Sequence, residues 1–320
     1  MKVVSYSENS AVINGKIYLD LNAGEVIIDA SQNYTGYRYD GETSPIKYSG
    51  PIDGMEIYVY QSYGSEYYKT GLILGENGTE PELVLPDYSQ TAIAEYDWAG
   101  YIDNNQNVDD VISKWKELAA DRSATGHRID ISPSSGLDIT MTIDNIWSSY
   151  YINAYGGANP GDNRGRTKGA ITCHWRSTKS KVTVNYVGDN RMNNIHYHAG
   201  NNVGSQLILN GKENATLTVC NLDENSAYNF WCSAIGCCDS SDSADGIVLT
   251  GNGHVYAGTT VKDDCTAIGG GGNGVGGVTI TENVTVTAVS ASSGAAIGGG
   301  IGKTDKGGQS KITINGNSKV

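Results

Sequence analysis

Residues 293–302 read SGAAIGGGIG, and residues 265–272 read CTAIGGGG. Both stretches are uncharged and consist almost entirely of glycine with small or apolar residues. Such a composition is typical of sharp corners that recur at regular intervals along a chain, because glycine adopts positive φ angles and lets backbones approach closely. The similarity of the two stretches therefore indicates an internal repeat.

Further copies of the shared motif define the length of this repeat. Ala-Ile-Gly begins at Ala296, Ala267 and Ala234, and the looser Ala-Ile-Thr-Cys begins at Ala170. The steps are 29, 33 and 64 residues, and 64 is twice 32. The sequence therefore predicts a repeat of about 30 residues, with a degenerate copy near residue 202, at 198–202.

The segments between the motifs follow one plan. A short strand pattern is followed by a turn rich in glycine and asparagine and then by a second strand pattern. Three short strands in about 30 residues are typical of one coil of a parallel β-helix. The first strands are predicted at 182–184, 207–209, 247–249, 278–280 and 312–314, and the second at 217–219, 255–257 and 284–286.

Stacked coils also bring cysteines of different repeats together. Cys232 and Cys265 each lie two residues before the alanine of their motif, so they are expected in adjacent coils, within reach of a disulfide. Two buried thiols are the alternative, because cysteine is an ordinary core residue. Cys173 and Cys237 share one corner position two coils apart and are not expected to bond.

The N-terminal part is less regular. Residues 128–131 and 137–143 have the pattern of strands in an earlier coil, and residues 16–30 also alternate as strands. Residues 107–122 have the apolar spacing of a helix, predicted to cap or flank the coils. We predict a Tyr-rich N-terminal region over 1–128, packed on the first coils, and a β-helix over 129–320 that is truncated at its C-terminal end.

Charge and composition exclude several classes of partner. The 320 residues contain 42 glycines and 21 tyrosines but one phenylalanine, and the net charge is −13. Without clustered lysine or arginine, nucleic acid is a poor partner. No apolar run is long enough for a transmembrane helix, so membrane insertion is not expected. From this composition we expect a secreted monomer from which any export signal has been removed.

Signals for catalysis and cofactors are weak. The glycine runs lack the ending of a phosphate-binding loop, and no serine lies in a nucleophile-elbow motif. Acidic residues in segment 239–246 (DSSDSADG) and at 263–264 leave glycoside hydrolysis or calcium binding as alternatives. His196 and His198 are expected on one face of a strand, but a third metal ligand is missing. We therefore expect no enzyme activity and no cofactor.

Aromatic residues give the clearest indication of a binding surface, because their rings supply a large contact area at small entropic cost. After Trp231 the only aromatic residue is Tyr256. Packing of many of these rings beneath loops is the alternative. The predicted binding residues are Tyr58, Tyr60, Tyr63, Tyr67, Tyr68, Trp147, Tyr150, Tyr151, Tyr155, Trp175, Arg176 and Tyr197.

The Ala-Ile-Gly-Gly-Gly motif and the pairs Val278-Thr-Ile and Val284-Thr-Val resemble the repeats of large, wall-attached surface proteins of Gram-positive gut bacteria. The resemblance covers about 165–320. It implies a right-handed parallel β-helix and an adhesin or carbohydrate-binding role toward host mucin, glycans or immunoglobulin. The six cysteines and the lack of a wall-sorting tail depart from that pattern.

Together these features predict a secreted or cell-surface binding module without catalytic activity. It would recognise a host glycoprotein through an aromatic-rich face of the β-helix. Two alternatives stay open, because a fold alone does not decide function. One is a polysaccharide lyase or glycoside hydrolase of the β-helix class, and the other is a structural stalk that binds no ligand.

Overall fold

The computed structural model describes strands among the first 60 residues and much of the chain after residue 128. The predicted helix at 107–122 lies outside the described residues. The described residues are 10–13, 16–20, 26–28, 34–39, 46–50, 56–60, 129–131, 138–144, 147–148, 170–174, 179, 181–192, 194–199, 204–221, 233–237, 244–259, 265–271, 276–290, 294–300 and 310–320.

All regular structure in these ranges is β-strand. No helix in them is long and apolar enough to cross a membrane. The strands are β1 (Ser10–Ile13), β2 (Lys16–Asp20), β3 (Val26–Ile28), β4 (Tyr34–Tyr39), β5 (Ile46–Gly50), β6 (Glu56–Tyr60), β7 (Ile129–Ile131), β8 (Asp138–Asp144), β9 (Trp147–Ser148), β10 (Ile171–His174), β11 (Lys181–Val187), β12 (Asp189–Met192), β13 (Ile195–His198), β14 (Gln206–Gly211), β15 (Thr216–Asn221), β16 (Ile235–Gly236), β17 (Ile247–Gly251), β18 (His254–Thr259), β19 (Ile268–Gly269), β20 (Val278–Ile280), β21 (Thr285–Ser290), β22 (Ile297–Gly298) and β23 (Ile312–Ile314).

The strands form three sheets that the chain visits in turn. The 11-stranded sheet has the order β23-β20-β17-β14-β11-β8-β6-β2-β1-β4-β5, the 5-stranded sheet β21-β18-β15-β12-β9, and the 7-stranded sheet β22-β19-β16-β13-β10-β7-β3. We number as repeats 1 to 5 the successive strand triplets β8–β10, β11–β13, β14–β16, β17–β19 and β20–β22. All pairings between repeats are parallel, as predicted.

The N-terminal strands belong to the same sheets. Strand β6 pairs with β2 and β8, and β7 pairs with β3 and β10, all in parallel. Only the pairs β1–β2 and β4–β5 are antiparallel among the described strands. The predicted division at residue 128 therefore falls between strands of shared sheets, because residues 16–60 contribute strands to two of them.

The register places the motif copies above one another, with one correction. Ile171 pairs with Ile195, Ile195 with Ile235, and Ile235 with Ile268. The degenerate copy is therefore Asn194-Ile195, and the prediction near residue 202 was wrong. The loops between repeats differ in length, so equal division of the 64-residue step placed the copy several residues too late.

The glycine corner behaves as predicted. Gly236, Gly269 and Gly298 follow Ile235, Ile268 and Ile297 in register, with φ angles of +141°, +128° and +134°. A side chain on Gly236 would overlap the carbonyl oxygen of Gly269, and one on Gly269 would overlap that of Gly298. Only glycine satisfies both the backbone angle and the close approach.

The inward-facing apolar side chains of the three sheets form one buried core. In β11 the buried Val182, Val184 and Tyr186 alternate with more exposed neighbours, as expected for a strand with one face on the core. The face opposite the core is called the outer face below. Burying each large apolar side chain stabilises the fold by about 1.5–3 kcal/mol.

The cysteine predictions have mixed outcomes. Cys173 is in register with Tyr197 of repeat 2. Cys237 lies in repeat 3, two residues after Ile235, which pairs with Ile195. The tyrosine thus separates Cys173 from Cys237, in agreement with the prediction that they do not bond. Cys265 is buried. Cys232 lies outside the described residues, so its pairing with Cys265 stays a prediction.

Candidate binding surface

The outer face of the 7-stranded sheet is not open to ligands in its early repeats. Thr172 in repeat 1 and His196 in repeat 2 occupy outer positions but are only 2% and 0% exposed. In repeats 3 to 5 the equivalent positions are the corner glycines, which offer no side chain. This sheet therefore presents no set of accessible side chains at its described positions.

One row on the outer face of the 5-stranded sheet is also closed over three repeats. Arg191, Thr218 and Tyr256 are in register on this face in repeats 2, 3 and 4. All three are buried, with 6%, 4% and 4% exposure. The neighbouring row on the same face consists of Asp189, Thr216, His254 and Thr285 and is partly exposed, as is Thr287 in repeat 5.

A partly buried charge network occupies part of this face. Asp189 forms an ion pair with Arg191 and accepts a hydrogen bond from the hydroxyl of Thr216 at 2.7 Å. Burial lowers the pKa of Arg191, and the adjacent Asp189 carboxylate partly offsets that effect. The rings of His254 and Tyr256 stack nearby, with centroids 6.1 Å apart. These contacts are structural, because the arginine is inaccessible.

The 11-stranded sheet presents a continuous accessible row across six strands. The row consists of residues in register on its outer face, each partly exposed. All six side chains are β-branched and uncharged. We call this row the β-branched ladder, formed by Thr140, Thr183, Ile208, Val248, Thr279 and Thr313.

Beside the ladder lies a second row on the same face. Asn185 is in register with Thr142 and Asn210, and Asn210 with Thr250. The amide nitrogen of Asn210 donates to the amide oxygen of Asn185 at 2.8 Å. This row is buried at Thr142 and Asn185 and partly exposed at Asn210 and Thr250.

The second row leads directly to tyrosine positions. Thr142 is in register with Tyr58, Tyr58 with Tyr18, and Tyr18 with Ala11, which also pairs with Tyr37. Because residues in register share a face and faces alternate along a strand, Tyr39 and Tyr60 occupy positions on that face too. We call the five positions Tyr18, Tyr37, Tyr39, Tyr58 and Tyr60 the tyrosine patch.

The predicted binding residues divide into three groups. Tyr58 and Tyr60 lie in β6 within the patch, and Trp147 lies in β9, in register with Arg191. Tyr197 is fully buried, so its assignment to a binding surface was wrong. Outside the described residues lie Tyr63, Tyr67, Tyr68, Tyr150, Tyr151, Tyr155, Trp175 and Arg176.

Tyr197 is a core residue for a clear reason. Tyr197 lies two residues after Ile195 in the same strand, so both side chains face the core. The hydroxyl of Tyr197 donates a hydrogen bond to the backbone oxygen of Asp245 at 2.9 Å. Burial raises the pKa of Tyr197 above its ordinary range. The aromatic composition of the segment did not reveal this, because strand parity decides which ring faces inward.

The metal alternatives gain no support from the described side chains. They contain no group of three or more His, Cys, Asp or Glu residues that could hold a metal ion. His196 is buried, while His198 is partly exposed on the same face. Of the acidic segment 239–246, only residues 244–246 are described.

Tyr18, Tyr37 and Tyr39 were not among the predicted site residues. Their alternation within strands, as in Tyr37-Arg-Tyr39, is a signal that could have placed two of them on one face. Their proximity to Tyr58 could not be read from spacing, because it depends on how β1, β2 and β4 pair. The ladder had no chemical signal, since threonine, valine and isoleucine are ordinary strand residues.

No protein-family model, curated protein or solved structure matches this chain.

Proposed function

We propose that this chain is a right-handed parallel β-helix that acts as a non-enzymatic binding module on the surface of a Gram-positive gut bacterium. Its outer face on the 11-stranded sheet would hold a host glycoprotein or glycan, such as mucin or immunoglobulin. The cyclic order of the sheets and the parallel register of five repeats support the β-helix. The likeness of the Ala-Ile-Gly-Gly-Gly repeats to adhesin-like proteins supports the location.

One observation carries the binding role. Five tyrosine positions fall on the outer face of the same sheet whose outer side chains are partly exposed in every described repeat. Tyrosine rings stack on sugars and on protein surfaces at small entropic cost, and their hydroxyls add hydrogen bonds. The described outer positions of the 7-stranded sheet are largely buried or glycine, and one row of the 5-stranded sheet is buried over three repeats, so these sheets offer less area for a ligand.

The experiment is a pull-down from mucus and serum beside a glycan array, with wild type, Tyr58→Ala and Tyr58→Phe. We expect the wild type to capture a glycoprotein and Tyr58→Ala to lose most of this binding. Tyr58→Phe keeps the ring and should retain most of it. Thermal unfolding of both variants checks that the fold is intact.

The alternatives give different outcomes in the same experiment. Release of short sugar fragments from mucus or from the arrayed glycans would identify a lyase or hydrolase and overturn the non-enzymatic proposal. A wild-type chain that captures nothing from either source would support the stalk. Equal binding by wild type and a folded Tyr58→Ala variant would remove the tyrosine patch from the site.

A further inference from the structure

We propose that the outer face of the 7-stranded sheet binds a zinc ion at three histidine positions, His174, His196 and His198. This site is separate from the proposed binding surface, which lies on the 11-stranded sheet. His196 and His198 alone are one ligand short of a metal site. The strand pairing supplies the third position, because His174 of β10 is in register with His198 of β13.

The three histidine positions share one face of the sheet. Ile171 and Cys173 of β10 and Ile195 and Tyr197 of β13 are fully buried in the core. The histidine positions alternate with these residues along both strands, so they belong to the outer face. Two of the positions are thus direct neighbours across the strand pair, and the third is the next outer position along β13.

The concentration of histidine at this point distinguishes it from the rest of the repeat. The whole chain has five histidines, and three of them occupy adjacent outer positions of β10 and β13. In repeats 3 and 4 the positions in register with His196 are the corner glycines Gly236 and Gly269. The cluster therefore does not follow from the periodicity of the fold.

The distances between the three positions suit a single ion. In a parallel sheet, neighbouring strands lie about 4.8 Å apart and alternate residues of one strand about 6.6 Å apart. Imidazole nitrogens bind zinc at about 2.0–2.1 Å, so three rings that start from these separations can converge on one point. Three histidines with one open coordination position are an established donor set for zinc.

The surroundings favour a cation that is held by nitrogen ligands. Asp130 is in register with Thr172, which is in register with His196, so the same face has a carboxylate position two strands away. The net charge of −13 adds a general attraction for cations. Calcium and magnesium prefer oxygen ligands, whereas imidazole suits zinc, copper and nickel.

The exposure of the two described rings fits a site that an ion can enter. His196 is 0% exposed, so bulk water competes little for an ion at this position. His198 is partly exposed and gives access from the outer side. An ion needs far less open surface than a glycan or a protein, so the closed face of this sheet does not exclude it.

The experiment is calorimetric titration of the metal-free chain with zinc chloride and with calcium chloride. The site variants are His174→Ala and His198→Ala, and the matched control is His254→Ala in β18 of the 5-stranded sheet. We expect one zinc ion per wild-type chain, no heat with calcium, and zinc binding at least about tenfold weaker in both site variants. The control should bind zinc as the wild type does.

Thermal unfolding provides a second readout on the same proteins. Zinc should raise the unfolding midpoint of the wild type and of His254→Ala, because an ion that binds only the folded chain stabilises it. The midpoints of the two site variants should not respond to zinc. Undiminished zinc binding by a folded His174→Ala variant, or an equal loss in His254→Ala, would overturn the inference.

Cobalt(II) titration tests the wild-type chain without relying on any variant. We expect the visible absorption of a four-coordinate cobalt ion without a thiolate charge-transfer band. A thiolate band would assign the ion to cysteines and overturn the histidine site. Absence of zinc binding, or binding of calcium in its place, would overturn it as well.

Discussion

The hydroxyl of Tyr197 donates a hydrogen bond to the backbone oxygen of Asp245, 2.9 Å away, across a separation of 48 residues in the chain. Tyr197 belongs to repeat 2, and Asp245 precedes the first strand of repeat 4. The ring fills the core while its hydroxyl ties two repeats together. A residue expected at a surface thus contributes to stability.

Replacing Tyr197 by phenylalanine removes this hydrogen bond and keeps the ring. We expect the free energy of unfolding to fall by about 0.5–1.5 kcal/mol, the usual net contribution of one hydrogen bond. Urea unfolding measures the change. Binding to mucin or oligosaccharides should equal that of the wild type. Weaker binding at unchanged stability would return Tyr197 to the binding surface.

Gly269 is expected to tolerate no side chain. Its φ of +128° disfavours any other residue, and a Cβ would overlap the oxygen of Gly298. Gly269→Ala should cost about 3 kcal/mol or more, since strain of 1–3 kcal/mol adds to the clash. The control is Gly258→Ala, whose Cβ would lie 3.4 Å from the sulfur of Cys220.

Thermal unfolding compares the two glycine variants. Gly258→Ala should shift the midpoint little, because its nearest contacts are of ordinary or slightly tight van der Waals length. If both variants melt alike, the corner glycines are not required for stacking, and the physical reason given for the repeat motif fails.

Asn194 can be replaced by the alanine that other repeats carry. Its amide nitrogen donates to Ser233 O at 2.6 Å and Ala234 O at 3.2 Å, but its buried Oδ1 accepts no hydrogen bond from the described residues. Loss of the donated bonds costs about 1–2 kcal/mol, and removal of an unsatisfied acceptor returns about 1–3 kcal/mol. Asn194→Ala should therefore unfold within about 1 kcal/mol of wild type.

Asn194→Asp provides the contrast in the same denaturant titration. It keeps the shape but replaces the donor with a buried charge, so we expect a loss of about 3 kcal/mol or more. A severe loss for Asn194→Ala would show that the amide contacts, rather than the small size of the site, hold this corner together.

Stability is expected to fall in alkali. Burial raises the pKa of Tyr186 and Tyr197 above the ordinary value of about 10. Above pH 10 the unfolded chain releases these protons while the folded chain keeps them, so each tyrosine lowers stability by about 1.4 kcal/mol per pH unit. Below pH 10 their contribution is fully present.

Denaturant unfolding at pH 9, 10 and 11 tests this dependence. The slope above pH 10 should be smaller for Tyr197→Phe than for wild type, because one of the two buried phenols is absent. An identical slope in the two proteins would mean that Tyr197 does not titrate differently in the folded and unfolded chains.

The strand predictions succeeded where alternation was strong. Val182–Val184, Leu207–Leu209 and Ile247–Leu249 all lie in strands of the 11-stranded sheet, as expected. Only the motif copy of repeat 2 was misplaced, because Asn194 stands where other copies have alanine and the loops that flank it differ in length. Local sequence predicts a strand well, but loop length carries little information about register.

The site was less predictable than the fold. Composition indicated an aromatic surface, and Tyr58 and Tyr60 fall on the face described here. It could not separate them from Tyr197, because inward and outward rings have the same composition. The β-branched ladder arises from six residues far apart in the chain that only strand pairing brings into one row.

The sequence by itself determined the repeat, the strands and the glycine corner, because backbone preferences and alternation act over a few residues. Only the tertiary structure decided which strands are neighbours, which faces are accessible and which tyrosines share a face. These properties depend on pairing between residues that are separated by whole repeats. The packing of the whole core fixes the parallel register, and the register then decides which residues are neighbours.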